Sequence, residues 1–184
     1  MLGTALDAIH AYGDVETYPH AELGRLAWFV PLEFGLAGVV SAFAVLWLER
    51  RIGFGRPPLW TGWERLREVL LLAGLYVTSV GANDTGGVAF AIALLAVVGA
   101  RLKFAPVRGD WAFALLGAVA GPAVEAAVHA IGAFDYTEPD FLGLPIWLPA
   151  LWANGGLAIR RLFGPFARLP VPEPHEAAEG ADVG

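Results

Sequence analysis

The chain contains no cysteine, which excludes disulfides, thiolate metal sites and cysteine nucleophiles. Charge is also scarce. Only 16% of the 184 residues are charged, against about 25% in a typical soluble domain. The formal net charge is −6, and no concentrated basic face offers nucleic acid a phosphate-binding surface. The first residues lack the basic region and apolar core of a cleaved signal peptide, carrying Asp7, Asp14 and Glu16 instead. No cluster of His, Asp or Glu has metal-ligand spacing, and no cofactor motif occurs, so neither metal nor cofactor is expected. No internal repeat is visible.

Apolar sequence, by contrast, is plentiful. Hydrophobic residues make up 57% of the chain, more than a domain of this size can hide from water but not more than lipid can cover. A helix crosses the hydrocarbon core with roughly 20 apolar residues. Five stretches approach that length, at about 26–48, 66–82, 86–102, 111–133 and 145–163. The expected fold is therefore an all-α polytopic membrane bundle of about five transmembrane helices. A polar N-terminal segment, 1–25, precedes it, and a flexible Pro- and Glu-rich tail, 164–184, follows. The connections carry turn signals. Gly53 to Pro58 breaks the first, and Asn83, Asp84 and Thr85 are suited to cap the third helix.

Eleven of the twelve basic residues fall on one side of this five-helix threading: Arg50, Arg51, Arg56, Arg65 and Arg67, then Arg101, Lys103 and Arg108, then Arg160, Arg161 and Arg168. Only Arg25 lies on the other side. The positive-inside rule then places the N-terminus outside and the C-terminus in the cytoplasm, with the chain in the cell (inner) membrane. Trp28, Trp60, Trp63, Trp111, Trp147 and Trp152 lie near span ends, where indoles anchor at the interface.

Several residues are candidates for chemistry. Glu33 lies in the first span, two residues after Pro31. An intramembrane carboxyl faces a bundle interior or wet cavity, or stays neutral by bonding a carbonyl freed by the proline. Glu125 and His129 sit four apart on one helical face. Pro122 lies one turn earlier. The pair is either an acid/base couple or a self-satisfied pair that joins helices. Gly117 and Gly121 form a small-xxx-small face that permits close helix packing and a homo-oligomer. Gly155 and Gly156, beside Asn154, either serve close helix packing or loosen the fifth span, leaving Asn154 free to bridge carbonyls or meet a ligand. Pro149, inside that span, is expected to kink it. A cavity on the outer side between the fourth and fifth spans follows, because broken helices survive in lipid only where protein or a cavity re-satisfies the backbone.

The run Tyr136-Thr137-x-Pro139-Asp140-Phe141-Leu142, then Trp147-Leu148-Pro149, then Gly155-Gly156, is similar to the end of the insulin-induced gene (Insig) proteins. Trp28-Phe29-Val30-Pro31, with Gly35, Ala37 and Glu49-Arg50, resembles the family's second helix and the turn after it. The resemblance covers about Leu26 to Leu162. It implies a compact bundle around a lipid-filled cavity among the first, fourth and fifth spans. Eukaryotic members bind oxysterols and the sensor Scap. Bacterial relatives look like lipid binders, with a diacylglycerol-like, sterol or isoprenoid occupant. The residues tied to Scap and to sterol in animal proteins fall near Ala105 and Val88. The high Ala, Gly and Arg content fits a prokaryotic source. The ligand-binding set implied is Glu33, Glu125, His129, Tyr136, Trp147, Pro149, Asn154, Gly155 and Gly156, with membrane lipid as partner. Two other readings stand beside it. One is a membrane enzyme of isoprenoid or carotenoid metabolism using Glu33, Glu125 and His129, since Pro31-Leu32-Glu33 resembles the Pro-x-Glu-Glu signature of small lycopene cyclase subunits. The other is an assembly subunit without a ligand.

Overall fold

A computed structural model describes residues 2–52, 61–83 and 86–163. Among these are six helices: α1 (Leu2–Tyr12), α2 (Val30–Ile52), α3 (Gly62–Asn83), α4 (Gly87–Phe104), α5 (Asp110–Ala130) and α6 (Leu148–Phe163). Two short strands, β1 (Glu16–Thr17) and β2 (Asp135–Tyr136), pair antiparallel, with Glu16 opposite Tyr136 and Thr17 opposite Asp135. The expected turn at Gly53 to Pro58, the caps Asp84 and Thr85, and the tail 164–184 lie outside the described residues.

Helices α2 to α6 occupy the five apolar stretches, and the polar N-terminal segment contributes α1. Three of the helices, α2 over Val30–Glu49, α4 and α5, are long and apolar enough to cross a membrane. Helix α3 opens with Glu64, Arg65, Arg67 and Glu68, and α6 has 16 residues that include Arg160 and Arg161. Charge in the one and shortness in the other keep them from the same description. At 11 residues, α1 is about 16 Å long, half of a hydrocarbon core. Leu32, Val39, Phe43 and Trp47 on α2, Ile92 on α4 and Val119 on α5 stay more than half exposed. This apolar outer surface suits lipid and would be a liability in water.

Helix α6 is the hub. It packs along α5 and against α3 and α4, while α2 touches it only lightly. Gly117 and Gly121, expected to offer a free helix face, are spent inside the chain. A side chain at Gly117 would meet the Trp152 carbonyl, and one at Gly121 would meet the Trp152 indole. Gly156 is matched against Gly117 from the other side. Of the two readings of the double glycine, close packing is the one realised: Gly156 lets two backbones touch, and α6 is regular throughout.

Both prolines read as helix-breakers sit harmlessly. Pro31 is the second residue of α2 and Pro149 the second of α6. In a first turn the missing N–H has no partner to lose. No carbonyl is freed for Glu33, and no kink is placed in α6. Pro122, inside α5, leaves that helix continuous.

An internal repeat is present after all. Residues of the segment from α1 into α2 recur 118 positions later, from α5 into α6: Gly3 and Gly121, Tyr18 and Tyr136, Leu26 and Leu144, Pro31 and Pro149, Gly38 and Gly156. The hydrogen bonds recur with them. Val15 N–H to the His10 carbonyl has its counterpart in Ala133 to Val128, and the bridge Leu23–Leu26 in Phe141–Leu144. The Glu22 carboxylate accepts from Trp28 N–H as Asp140 does from Ile146 N–H. Left-handed φ values fall at matching places too, at Asp14 and Gly132 and at Gly24 and Leu142. The antiparallel β1–β2 pair joins the two units, which therefore meet about a pseudo-two-fold axis with both loops at one end of the bundle.

Candidate functional site

Between α2, α5 and α6 lies a cavity of about 510 Å³, within the range of small-molecule sites. Its walls are almost wholly apolar: Ala37, Val40 and Ala44 from α2, Leu116 and Ala120 from α5, and Ile159 from α6 are among them. Glu33 and Ser41 are its polar exceptions, and Trp152 closes one side. This is the place expected from the sequence, among the first, fourth and fifth spans.

Of the expected site residues, Glu33 and Gly156 line the cavity. Among the described residues the Glu33 carboxyl has no hydrogen-bond or ion-pair partner. The others are elsewhere. Glu125 lies behind the wall, where its carboxylate accepts from the Tyr136 hydroxyl and the Trp152 indole N–H. It thereby fixes the indole that faces the cavity. His129 turns away from Glu125: its Nδ1 lies 3.0 Å from the Phe134 carbonyl and 3.3 Å from Asp135 Oδ1. Gly143, at φ +75°, leaves room for that imidazole, which a side chain there would strike. The expected Glu125–His129 pair is therefore not formed, since Tyr136 and Trp152 outcompete it on one side and the loop carbonyl on the other. Trp147 is a core residue, 1% exposed, with its ring edge-on to Phe90, Tyr136 and His10. Trp152, read from the sequence only as an interfacial anchor, is the wall residue that reasoning missed. Its four-residue spacing from Gly156 was the available signal.

Asn154, 0% exposed, is a structural bridge. Its amide donates to the carbonyls of Leu94 (3.2 Å) and Ala150 (3.1 Å), and its side-chain oxygen accepts from Arg101 at 3.1 Å. From there a buried ion network runs across the end opposite the strands. Arg101 and Arg161 share Glu68, Arg161 and Arg160 share Asp110, and Arg160 reaches Glu49. Three arginines counted as cytoplasmic markers thus lie inside helices, buried and neutralised by acids from α2, α3 and α5. The remaining loop charges have to carry the orientation argument.

At the strand end a second carboxyl unit mirrors the first. Asp7 accepts from the Tyr18 hydroxyl at 2.6 Å as Glu125 does from Tyr136. Phe34 stands where Trp152 stands, over Gly3 in place of Gly121. Phenylalanine offers no N–H, so Asp7 lacks the second donor that Glu125 has, and the Glu16 carboxyl lies close by. Burial, then the charges of Asp7 and Glu125, push the Glu16 carboxyl well up, and burial raises Asp7. Nearby, His10 bonds the Ser79 hydroxyl through Nε2 at 2.7 Å and stacks on Tyr76, and burial pushes its imidazole down to about 4.

A six-helix arrangement with lipid-facing apolar helices and an apolar cavity between them defines a membrane protein of the Insig fold. The structure superposes on a mycobacterial Insig homologue, MvINS from Mycobacterium vanbaalenii, with a TM-score of 0.73, 24% identity and coverage of 92% of this chain and 90% of that one. A cross-linked MvINS trimer matches with a TM-score of 0.71 and the same identity and coverage. The Insulin-induced gene 1 protein of Danio rerio is 25% identical over 167 residues, which is 86% of this chain but 65% of that relative's length. The expected Insig likeness is thereby borne out. The chain belongs to the family described as "Protein of unknown function (DUF2878)", whose model matches residues 65–172.

Proposed function

We propose that the chain is a multi-pass protein of the cell membrane that holds a lipid in the cavity between α2, α5 and α6. The observation that carries this reading is the cavity itself, about 510 Å³ of apolar space with Glu33 and Ser41 as its polar groups. The Insig resemblance nominates a diacylglycerol-like, sterol or isoprenoid occupant. Five helices cross, α2 to α6, with the paired strands outside and the C-terminus in the cytoplasm. The apolar outer surface and the loop charges support that threading. A homo-oligomer is in keeping with the trimeric MvINS crystal, but it uses a surface other than Gly117 and Gly121, which α6 covers.

The enzyme reading needs Glu33, Glu125 and His129 to act on one substrate. Only Glu33 faces the cavity; Glu125 is occupied with Tyr136 and Trp152, and His129 with the loop. No observation favours turnover. The test is mass spectrometry of lipid retained after purification in mild detergent, for the natural chain and for Ala120→Phe, which puts a phenyl ring into the cavity from its α5 wall. One-to-one retention that the substitution abolishes is expected. Retention unaffected by Ala120→Phe would put the lipid elsewhere and end the reading.

A further inference from the structure

The polar end of the cavity has its own chemistry. Glu33 is the ionisable side chain that lines it, half-buried in the first turn of α2. It is close enough to Asp7 and Glu125 for the charges to oppose one another, and Glu16 feels all three. Among the described residues no ion pair with lysine or arginine joins any of these four acids. Arg25, on the same end, pairs with Asp14 instead. The Glu16 Oε1, in a residue 3% exposed, is buried without a hydrogen-bond partner. Of these acids Glu33 alone lines the cavity, and burial holds Asp7 and Glu16 toward their neutral forms, so the uncompensated charge at this end is that of Glu33, strengthened by low-dielectric walls. A carboxylate or phosphate brought there is repelled. A neutral hydroxyl gains one ordinary hydrogen bond. An ammonium gains a charge-assisted bond and the field besides.

The apolar part has a direction as well. From Glu33 to Val45 the lining of α2 runs twelve residues, about 18 Å of helix. One long chain laid along that groove keeps its head at Glu33. We infer that the cavity accepts a single-chain amphiphile with an ammonium head and no phosphate, its nitrogen on the Glu33 carboxylate and its chain running along α2 toward Val45. This rests on the lipid-binding reading and names the headgroup class for it.

The experiment uses the full-length protein in mild detergent and measures displacement of a fluorescent fatty-alcohol reporter. The competitors share one chain length: a primary amine, an alcohol, a carboxylic acid and a lysophosphatidylethanolamine. The amine is expected to compete roughly tenfold better than the alcohol, the margin between a charge-assisted and a neutral hydrogen bond, with the acid weakest. Glu33→Gln should bring the amine down to the alcohol without changing the alcohol. Ala120→Phe should weaken all of them together, which keeps the test usable should Glu33→Gln fold poorly. Equal binding of amine and alcohol by the natural chain overturns the inference. So does an amine preference that survives Glu33→Gln. Equal competition by the lysophospholipid overturns the exclusion of phosphate and makes an aminophospholipid the source. If no competitor and no reporter binds, the cavity reading itself fails, an outcome distinct from the others.

Discussion

Removing Asp110 tests the buried ion network most directly. Asp110 is 1% exposed and accepts from Arg160 at 2.7 Å and from Arg161 at 2.8 Å. Among the described residues the network sets Glu49, Glu68 and Asp110 against Arg101, Arg160 and Arg161, three charges of each sign. Asp110→Ala leaves a net buried positive charge and two guanidinium groups short of an acceptor. Breaking a buried pair from one side costs about 3–5 kcal/mol, because the orphaned charge keeps its desolvation penalty. For a chain of this size that lowers Tm by roughly 6–20 °C. Thermal unfolding in detergent, followed by tryptophan emission, is the assay. Arg161→Leu in the same chain restores neutrality, so the double substitution should fall short of the summed single effects by about 1–3 kcal/mol. A loss under about 1 kcal/mol for Asp110→Ala, the scale of an exposed ion pair, or strict additivity in the cycle, would refute the claim that these charges are desolvated and mutually dependent.

Gly156→Leu should destabilise by about 1–3 kcal/mol or more, because its Cβ meets the backbone of Phe113 and Gly117, whereas Gly38→Ala, at the matching repeat position in open space, should be neutral or slightly stabilising; paired melts decide. Glu125→Leu should cost about 1–3 kcal/mol for each stranded donor and shift Trp152 emission, since the Tyr136 hydroxyl and the indole N–H lose their acceptor. Glu16 has a raised folded pKa, so its contribution is full below the unfolded value and lost as pH rises through the folded one; Glu16→Gln should therefore flatten the fall in Tm as pH climbs above the usual carboxyl range. His10 runs the other way. Its pKa drops from 6.5 to about 4, so stability present above 6.5 is lost as pH falls toward 4, and a His10→Gln chain should lack that acid limb.

The helices were legible in the sequence because each is a local apolar run, and a run needs no knowledge of its neighbours. The cavity was legible for a related reason, since the Insig-like segments mark two of the three helices that enclose it. What could not be read were the pairings. Arg160 meets Glu49 across 111 positions, and Arg101 meets Glu68 across 33. Without those partners an arginine at a helix end looks like a cytoplasmic marker. Glu125 and His129 failed for the opposite reason. Local spacing put them together, but Trp152 and Tyr136 from other elements offered Glu125 better donors. Pro31 and Pro149 were misplaced by a few residues, enough to turn helix starts into supposed kinks.

The repeat escaped notice because it is carried by scattered glycines, tyrosines and prolines 118 positions apart, with little else shared. It also accounts for where the cavity is. On α6 the face containing Leu151, Asn154 and Ala158 is fully buried, and Asn154 is tied to α4 through Leu94 and Arg101. The matching positions on α2 are Glu33, Leu36 and Val40, which line the cavity. One unit thus has its inner face covered by the α3–α4 hairpin, while its twin has the equivalent face left open. The sequence differs accordingly. Asn154, whose amide seeks carbonyls on a neighbouring helix, answers to Leu36, which asks for nothing but apolar company. Buried Leu151 answers to Glu33. Where a helix is to be received, the unit carries a hydrogen-bonding residue aimed at backbone. Where a cavity is to be kept, it carries an apolar groove with a carboxyl at its end. The cavity is therefore the position at which one of the two repeated units lacks a covering hairpin. Its polarity is written in the residues that differ between the two units.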